Sequence, residues 1–134
     1  AVFMPFVTDN KRLQLLLPVS LLFVTDILLG FYGTTMLFVY GTMLLIGLLS
    51  RLLHKDNLQS LMVNSSLSVV LWHAIVNFGV YLSGLSNLSL AQTYLLAIPF
   101  DLRLLLSTLL FSGLFYGVRR MINESVFLGN KSVS

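Results

Sequence analysis

The sequence predicts an all-α integral membrane bundle of about four transmembrane helices with one short interfacial or re-entrant helix. Of its 134 residues, 57% are hydrophobic and only 10% are charged, whereas a soluble domain carries about 25% charged residues. Several apolar runs approach the roughly 20 residues that a helix needs to cross a bilayer. We expect residues 1–134 to form a single transmembrane domain.

Three apolar runs, 13–30, 36–53 and 61–83, are predicted to span the membrane directly. A fourth apolar region, 88–118, is too long for one ordinary span, and Pro99 divides it together with the charged pair Asp101 and Arg103. The part before Pro99 is too short to cross. We therefore expect an interfacial or re-entrant helix at about 88–98, followed by a fourth span at 102–118.

Basic residues support this count of spans. They cluster at residues 11–12, 51–55 and 119–120, whereas the loops at 31–35 and 84–89 carry no charge. With four spans, all three clusters lie on one face, as the positive-inside rule requires. We expect both termini on that face. It would be the cytoplasmic side of a bacterial inner membrane, or the stromal side of a plastid thylakoid membrane.

Gly113 and Gly117 form a GxxxG pair in the predicted fourth span. This spacing lets two helix backbones approach closely. We expect the pair to serve packing inside the bundle rather than contact between copies of the chain.

A set of polar residues is predicted to meet within the membrane. Asp26 is the only acid inside a predicted span, and a carboxylate there costs roughly 2.5–3.5 kcal/mol on insertion scales. Tyr40 on the antiparallel second span should lie at a similar depth, and His73 and Asn77 share one helix face because they are four residues apart. Arg103 begins the fourth span on the same side. We expect all five to converge, with Asp26 paired to Arg103 or His73.

Two interpretations of this cluster remain open. In the first, which we favour, its members form hydrogen bonds that hold helices together. In the second, they line a pocket for a polar solute, closed by the helix at 88–98. An ionisable residue inside a membrane is a functional hypothesis by default, which supports the second interpretation.

The two histidines are candidate chlorophyll ligands, because a neutral imidazole nitrogen can bind the magnesium of the pigment. His73 lies within a span and His54 lies at the basic face. A hydrogen-bonded histidine without a metal is the commoner case. Chlorophyll, carotenoid and lipids are the cofactors considered, and no dedicated metal site is predicted.

Known catalytic motifs are absent from the sequence. It contains no HExxH, GxSxG or Walker glycine loop, and it has no cysteine. No basic stripe suited to nucleic acid occurs. We therefore expect a protein that is not an enzyme and does not bind nucleic acid.

Two stretches resemble a known family: LLPVSLLFVTDILLGFYGTTMLFVYGTMLLIGLL (16–49) and NFGVYLSGLSNLSLAQTYLLAIPF (77–100). They are similar to the domain-of-unknown-function 6580 family of small multi-pass membrane proteins. That family is loosely like the substrate-binding S components of energy-coupling-factor vitamin transporters. The matching positions are Asp26, Gly30, Asn77, Gly79, Ser83, Gly84 and Pro99, while Tyr81 stands where tryptophan is expected. The resemblance implies a multi-pass membrane fold and a role in transport.

Two functions follow from these observations. The first is a non-catalytic subunit that packs into a larger membrane assembly, with lipids and other membrane subunits as partners. An accessory subunit of a plastid photosystem with pigment or lipid contacts is the particular case considered. The alternative is a small-solute-binding transport protein that resembles an S component.

Overall fold

The computed structural model describes residues 1–84 and 87–131, with side chains described as far as residue 124. Within this part, the chain contains helices and no strand, which confirms the predicted all-α class. The helices are α1 (Met4–Val7), α2 (Lys11–Leu29), α3 (Thr35–Leu52), α4 (Leu58–Leu82) and α5 (Leu90–Lys131).

Asparagine side chains begin two of the long helices. The Asn10 side-chain oxygen accepts hydrogen bonds from the backbone N–H groups of Arg12 and Leu13 at the start of α2. Asn57 accepts one from Ser60 at the start of α4. Each bond satisfies an N–H group that has no partner inside its own helix. The chain leaves α2 through Gly30, whose φ of 98° favours glycine.

Among the described residues, four helices are long and apolar enough to cross a membrane, namely Lys11–Leu29, Thr35–Leu52, Leu58–Leu82 and the Leu90–Glu124 part of α5. They agree in number with the four predicted spans. Large apolar side chains on their outer surfaces are exposed, as lipid-facing residues are; Leu28 and Leu29, for example, are 80% and 86% exposed.

The long helices pack in chain order. Among the described residues, α2 contacts α3, α3 contacts α4, and α4 contacts α5, whereas α2 contacts neither α4 nor α5. Side-chain contacts show that α4 and α5 are antiparallel. Asp56 in the loop before α4 contacts Arg119, Ser65 contacts Ser112, and His73 contacts Asp101. Helices α3 and α5 therefore flank α4 without packing on each other, which leaves a groove between them.

The N-terminal segment packs across one end of the row that α2, α3, α4 and α5 form. Helix α1 packs on α2 and α3. Its Phe6 ring makes edge contacts with His54 and Tyr116, and Phe3 contacts Phe115 of α5. These aromatic contacts connect the N-terminal segment to α5, a helix that α2 does not reach.

The structure corrects the predicted division of the region 88–118. Instead of an interfacial helix and a separate span, α5 is one helix of 42 residues with Pro99 inside it. At about 1.5 Å per residue it is roughly 63 Å long, well beyond the thickness of a bilayer core. Packing on α4 supports it on both sides of Pro99: Tyr94 donates to the Ala74 carbonyl oxygen, and Asp101 contacts His73. Packed neighbours of this kind let membrane helices tolerate proline.

Close helix packing occurs at a glycine that the sequence analysis did not select for this role. Gly79 of α4 lies against the Phe38 side chain of α3, and a Cβ atom on Gly79 would lie 2.6 Å from the Phe38 Cβ. By contrast, a Cβ on Gly113 would lie 3.4 Å from Met62, and one on Gly117 would meet no atom within 4 Å. The predicted GxxxG contact is therefore loose at Gly113 and absent at Gly117 among the described residues.

Candidate functional site

Asp26 is buried between α2 and α3, where two tyrosines hold its carboxylate. Its Oδ2 atom accepts hydrogen bonds from the Tyr40 hydroxyl at 2.7 Å and the Tyr32 hydroxyl at 3.2 Å. The glycines at positions 30 and 33 adopt positive φ angles, which turn the chain so that Tyr32 reaches back to the end of α2. Burial and the negative charge of Asp26 raise the pKa of Tyr32, which lies in the loop between the helices.

A second polar group joins α4 to α5. Asp101 is only 6% exposed, and its Oδ2 atom lies 2.6 Å from His73 Nδ1. Asn77 Nδ2 donates to the same Oδ2 at 3.2 Å and to the His73 carbonyl oxygen at 2.9 Å. The other carboxylate oxygen, Oδ1, is buried and has no hydrogen-bond partner among the described residues. The edge of the Tyr94 ring packs against the His73 ring.

The two groups lie at one level of the bundle. Phe38 packs against Gly79, so Tyr40, two residues further along α3, is level with Asn77 on the antiparallel α4. Tyr40 bonds Asp26, and Asn77 bonds Asp101. The predicted common depth of these residues thus agrees with the contacts, and each long helix contributes at least one polar side chain there.

The predicted single cluster is nevertheless wrong. Asp26 pairs with neither Arg103 nor His73, and no hydrogen bond or ion pair joins the two groups across residues 1–84 and 87–124. The reason is geometric, because α2 reaches α3 but not α4 or α5. The contacts between Asp26 and Tyr40 and between His73 and Asn77 are present.

Arg103 lies outside both groups. It is exposed and makes no hydrogen bond or ion pair with the described residues. At about 100° per residue it is rotated roughly 200° from Asp101 around α5, so it occupies the opposite side of the helix.

Asp101 and Tyr32 are the members that the sequence analysis missed. Asp101 was assigned to a break between helices rather than to the interior of one. The helical repeat could have placed Asp101 inside a helix, because residues 101, 104, 108 and 112 share one helix face.

The space between α3 and α5 forms an apolar groove of about 510 Å³. Helix α4 forms its floor, and residues 1–3 close the end near Phe115. Most of its lining is apolar, with four hydroxyl side chains among it. The lining outside the N-terminal segment consists of Met43, Ile46, Ser68, Val69, Trp72, Leu104, Ser107, Thr108, Phe111, Ser112 and Phe115.

The groove begins near the His73–Asn77–Asp101 group, although none of these three residues lines it. Leu104 lines the groove one helical turn after Asp101, and Trp72 lines it immediately before His73. A mainly apolar pocket with a few polar side chains in its lining is a common arrangement for small-molecule sites. The Asp26 group, on α2 and α3, does not line this groove either.

Basic residues collect at the opposite end of the helices. The Arg119 guanidinium binds both carboxylate oxygens of Asp56, with Nη1 to Oδ1 at 2.5 Å and Nη2 to Oδ2 at 3.4 Å. Hydrogen bonding from Arg119 lowers the pKa of Asp56. His54 lies here too, against Phe6, and Lys11, Arg51 and His54 border one cavity. The described residues contain no group of three or more potential metal ligands.

These features define an integral membrane protein whose described residues contain four helices able to cross the bilayer, an apolar groove and two buried polar groups. The chain belongs to the family of unknown function DUF6580, whose family model matches residues 1–130. No curated protein and no solved structure matches the chain.

Proposed function

We propose that this chain is a non-catalytic membrane protein that binds a small organic solute in the groove between α3, α4 and α5, as a transport protein does. The groove itself carries the proposal. Its volume of about 510 Å³ falls within the roughly 300–1,000 Å³ of small-molecule sites.

The lining indicates the character of the solute. Apolar and aromatic side chains dominate, and hydroxyls are contributed by Ser68, Ser107, Thr108 and Ser112. A mainly apolar solute with one or two hydrogen-bonding groups matches this surface, because a few polar groups fix orientation while apolar area supplies affinity. The loose likeness of this family to vitamin-binding S components also favours a solute of about the size of a vitamin.

Trp72 makes binding directly measurable. It is the only tryptophan in the chain and it borders the groove. We expect a solute that enters the groove to change the tryptophan emission of the protein in detergent, with saturation as concentration rises. The probe is a panel of small, mainly apolar organic solutes that carry one or two hydrogen-bonding groups, with B vitamins as its more polar members. Failure of the whole panel to shift the emission or the melting temperature would count against solute binding.

A matched pair of variants locates the response. Ser107→Phe places a ring in the groove and should abolish the saturable change, whereas Ser20→Phe adds the same ring on the exposed surface of α2 and should preserve it. Equal responses from both variants would show that the solute binds elsewhere.

A subunit that holds a pigment inside a larger membrane assembly is the second candidate. The contact between His73 Nδ1 and Asp101 leaves the other ring nitrogen for a ligand, and metal-binding histidines are usually oriented by a carboxylate in this way. Helix α2, which packs only on α1 and α3, offers an apolar surface to partner subunits as well as to lipid. Native membranes solubilised in mild detergent should then yield a large coloured complex, and His73→Leu should remove one pigment from it. Migration as a colourless free chain would exclude this candidate.

A further inference from the structure

The basic end of the bundle holds a second cavity, separate from the groove. It lies between α1, α2 and α3 and has a volume of about 350 Å³. Charged and polar side chains dominate its lining, in contrast to the groove. The lining residues are Pro5, Asp9, Lys11, Gln14, Arg51, Leu52 and His54.

Charges of both signs face this cavity without pairing. Lys11, Arg51 and Asp9 form no hydrogen bond or ion pair through their side chains within the described part of the chain. At the same end of the bundle, Arg119 and Asp56 do pair directly. The cavity therefore presents two cationic groups and one anionic group that remain open to an external ligand.

The cavity lies where a lipid headgroup would be. Lys11 begins α2 and Arg51 belongs to the last turn of α3, so both lie at the membrane–water boundary if these helices span. Leu52 lines the cavity and is 80% exposed, and Leu48, one turn earlier on α3, is also exposed. An acyl chain can follow these two leucines away from the basic end.

The floor of the cavity is held in place. Gln14 is buried, and its Nε2 atom donates to the Thr8 carbonyl oxygen at 2.6 Å. This bond fixes the segment between α1 and α2, which carries Asp9, against the helix that carries Lys11. A preorganised site loses less conformational entropy when a ligand binds.

We propose that this cavity binds the headgroup of a phospholipid that carries both a phosphate and a primary ammonium group, as phosphatidylethanolamine does. The phosphate accepts hydrogen bonds from Lys11 and Arg51, a pairing typical of basic pockets between membrane helices. The ammonium group donates to the Asp9 carboxylate. The proposal is independent of solute binding in the groove.

Native mass spectrometry of the full chain in detergent tests this proposal. The protein is titrated separately with phosphatidylethanolamine, phosphatidylglycerol and phosphatidylcholine of matched acyl chains. We expect phosphatidylethanolamine to bind best, because phosphatidylglycerol lacks the ammonium group and choline cannot donate a hydrogen bond to Asp9. Equal binding of the three lipids would overturn the proposal.

Variants separate the two halves of the headgroup. Arg51→Gln should weaken both phosphatidylethanolamine and phosphatidylglycerol by about tenfold, the size expected for a lost charge-assisted hydrogen bond. Asp9→Asn should weaken phosphatidylethanolamine and strengthen phosphatidylglycerol, because it removes a negative charge. Arg103→Gln, an exposed arginine away from this cavity, is the control and should change neither. An unchanged preference in Asp9→Asn would contradict the assignment of the ammonium group.

Competition with inorganic phosphate tests whether the cavity recognises a lipid or any phosphate anion. If the site recognises a lipid, millimolar phosphate should not displace bound phosphatidylethanolamine, because it lacks the acyl contacts and the ammonium group. Displacement of the lipid by phosphate would show a simple anion site and overturn the proposal.

Discussion

The two carboxylates buried at one level of the bundle have different surroundings. Asp26, between α2 and α3, accepts hydrogen bonds from two neutral tyrosine hydroxyls. Asp101, between α4 and α5, contacts an imidazole and an amide through one oxygen, and its other oxygen has no partner among the described residues. Neither carboxylate lines the groove, but Leu104, one helical turn after Asp101, does. Asp26 therefore joins α2 to α3, whereas the buried oxygen without a partner makes Asp101 the better candidate for a functional role.

The two groups differ in the chemistry of the side chains that surround each carboxylate. Tyrosine hydroxyls donate hydrogen bonds but stay neutral at ordinary pH, so the Asp26 group has no basic member. The His73 imidazole, by contrast, has a second ring nitrogen that can donate or accept a hydrogen bond or bind a metal ion. Buried ionisable groups of this kind in a membrane are commonly functional.

The contact at Gly79 holds both groups at one level, and its loss should have the largest effect on the stability of the protein. Gly79→Leu would force Phe38 away and separate α3 from α4, at a cost of roughly 1–3 kcal/mol or more. We expect a lower melting temperature in detergent. Gly41→Leu is the matched control, because a Cβ there meets no atom within 4 Å. Equal melting temperatures for both variants would show that α3 and α4 do not depend on this contact.

Replacement of Asp101 should be the next largest effect. Asp101→Leu leaves the polar side chains of His73 and Asn77 without their shared partner, which costs about 1–3 kcal/mol for a buried group. The double variant Asp101→Leu with His73→Leu should recover part of this loss, since replacing both partners of a buried hydrogen bond by apolar groups is often nearly neutral. Additive losses, measured by thermal unfolding, would argue against a direct coupling of the two residues.

The Asp26 group should respond more weakly. Tyr40→Phe removes one of two hydrogen bonds to Asp26, and such bonds average about 0.6 kcal/mol in membrane proteins. We expect a small decrease in melting temperature and no effect on solute binding in the groove. A complete loss of solute binding in Tyr40→Phe would reverse the roles assigned to the two groups.

The exposed pair of Asp56 and Arg119 at the basic end should have the smallest effect on stability, which should be visible only as a dependence on pH. The pKa of Asp56 is lowered in the folded protein by Arg119, so the pair contributes stability above the usual pKa of 3.8. That contribution is lost as pH falls through the lower folded value. Thermal unfolding of the native protein and of Asp56→Asn should therefore differ at neutral pH and converge under strongly acidic conditions. A difference that grows on acidification would contradict this sign.

Residues in the sequence were sufficient to predict several local features. The number of spans follows from apolar runs, and the shared face of His73 and Asn77 follows from helix periodicity. The common depth of Asp26 and Tyr40 follows from antiparallel hairpin geometry. The continuity of α5 through Pro99 was not predictable in this way, because it depends on the packing of α4 on both sides of the proline.

The sequence by itself determined the class of protein, since the bilayer requires about 20 apolar residues for each span and the described part of the chain has four helices of that kind. Only the tertiary structure decided which polar residues meet. Helix order places α2 beyond reach of α4 and α5, so Asp26 meets tyrosines while His73 meets Asp101. The groove likewise arises from the separation of α3 and α5 across α4, a distance that no local pattern encodes.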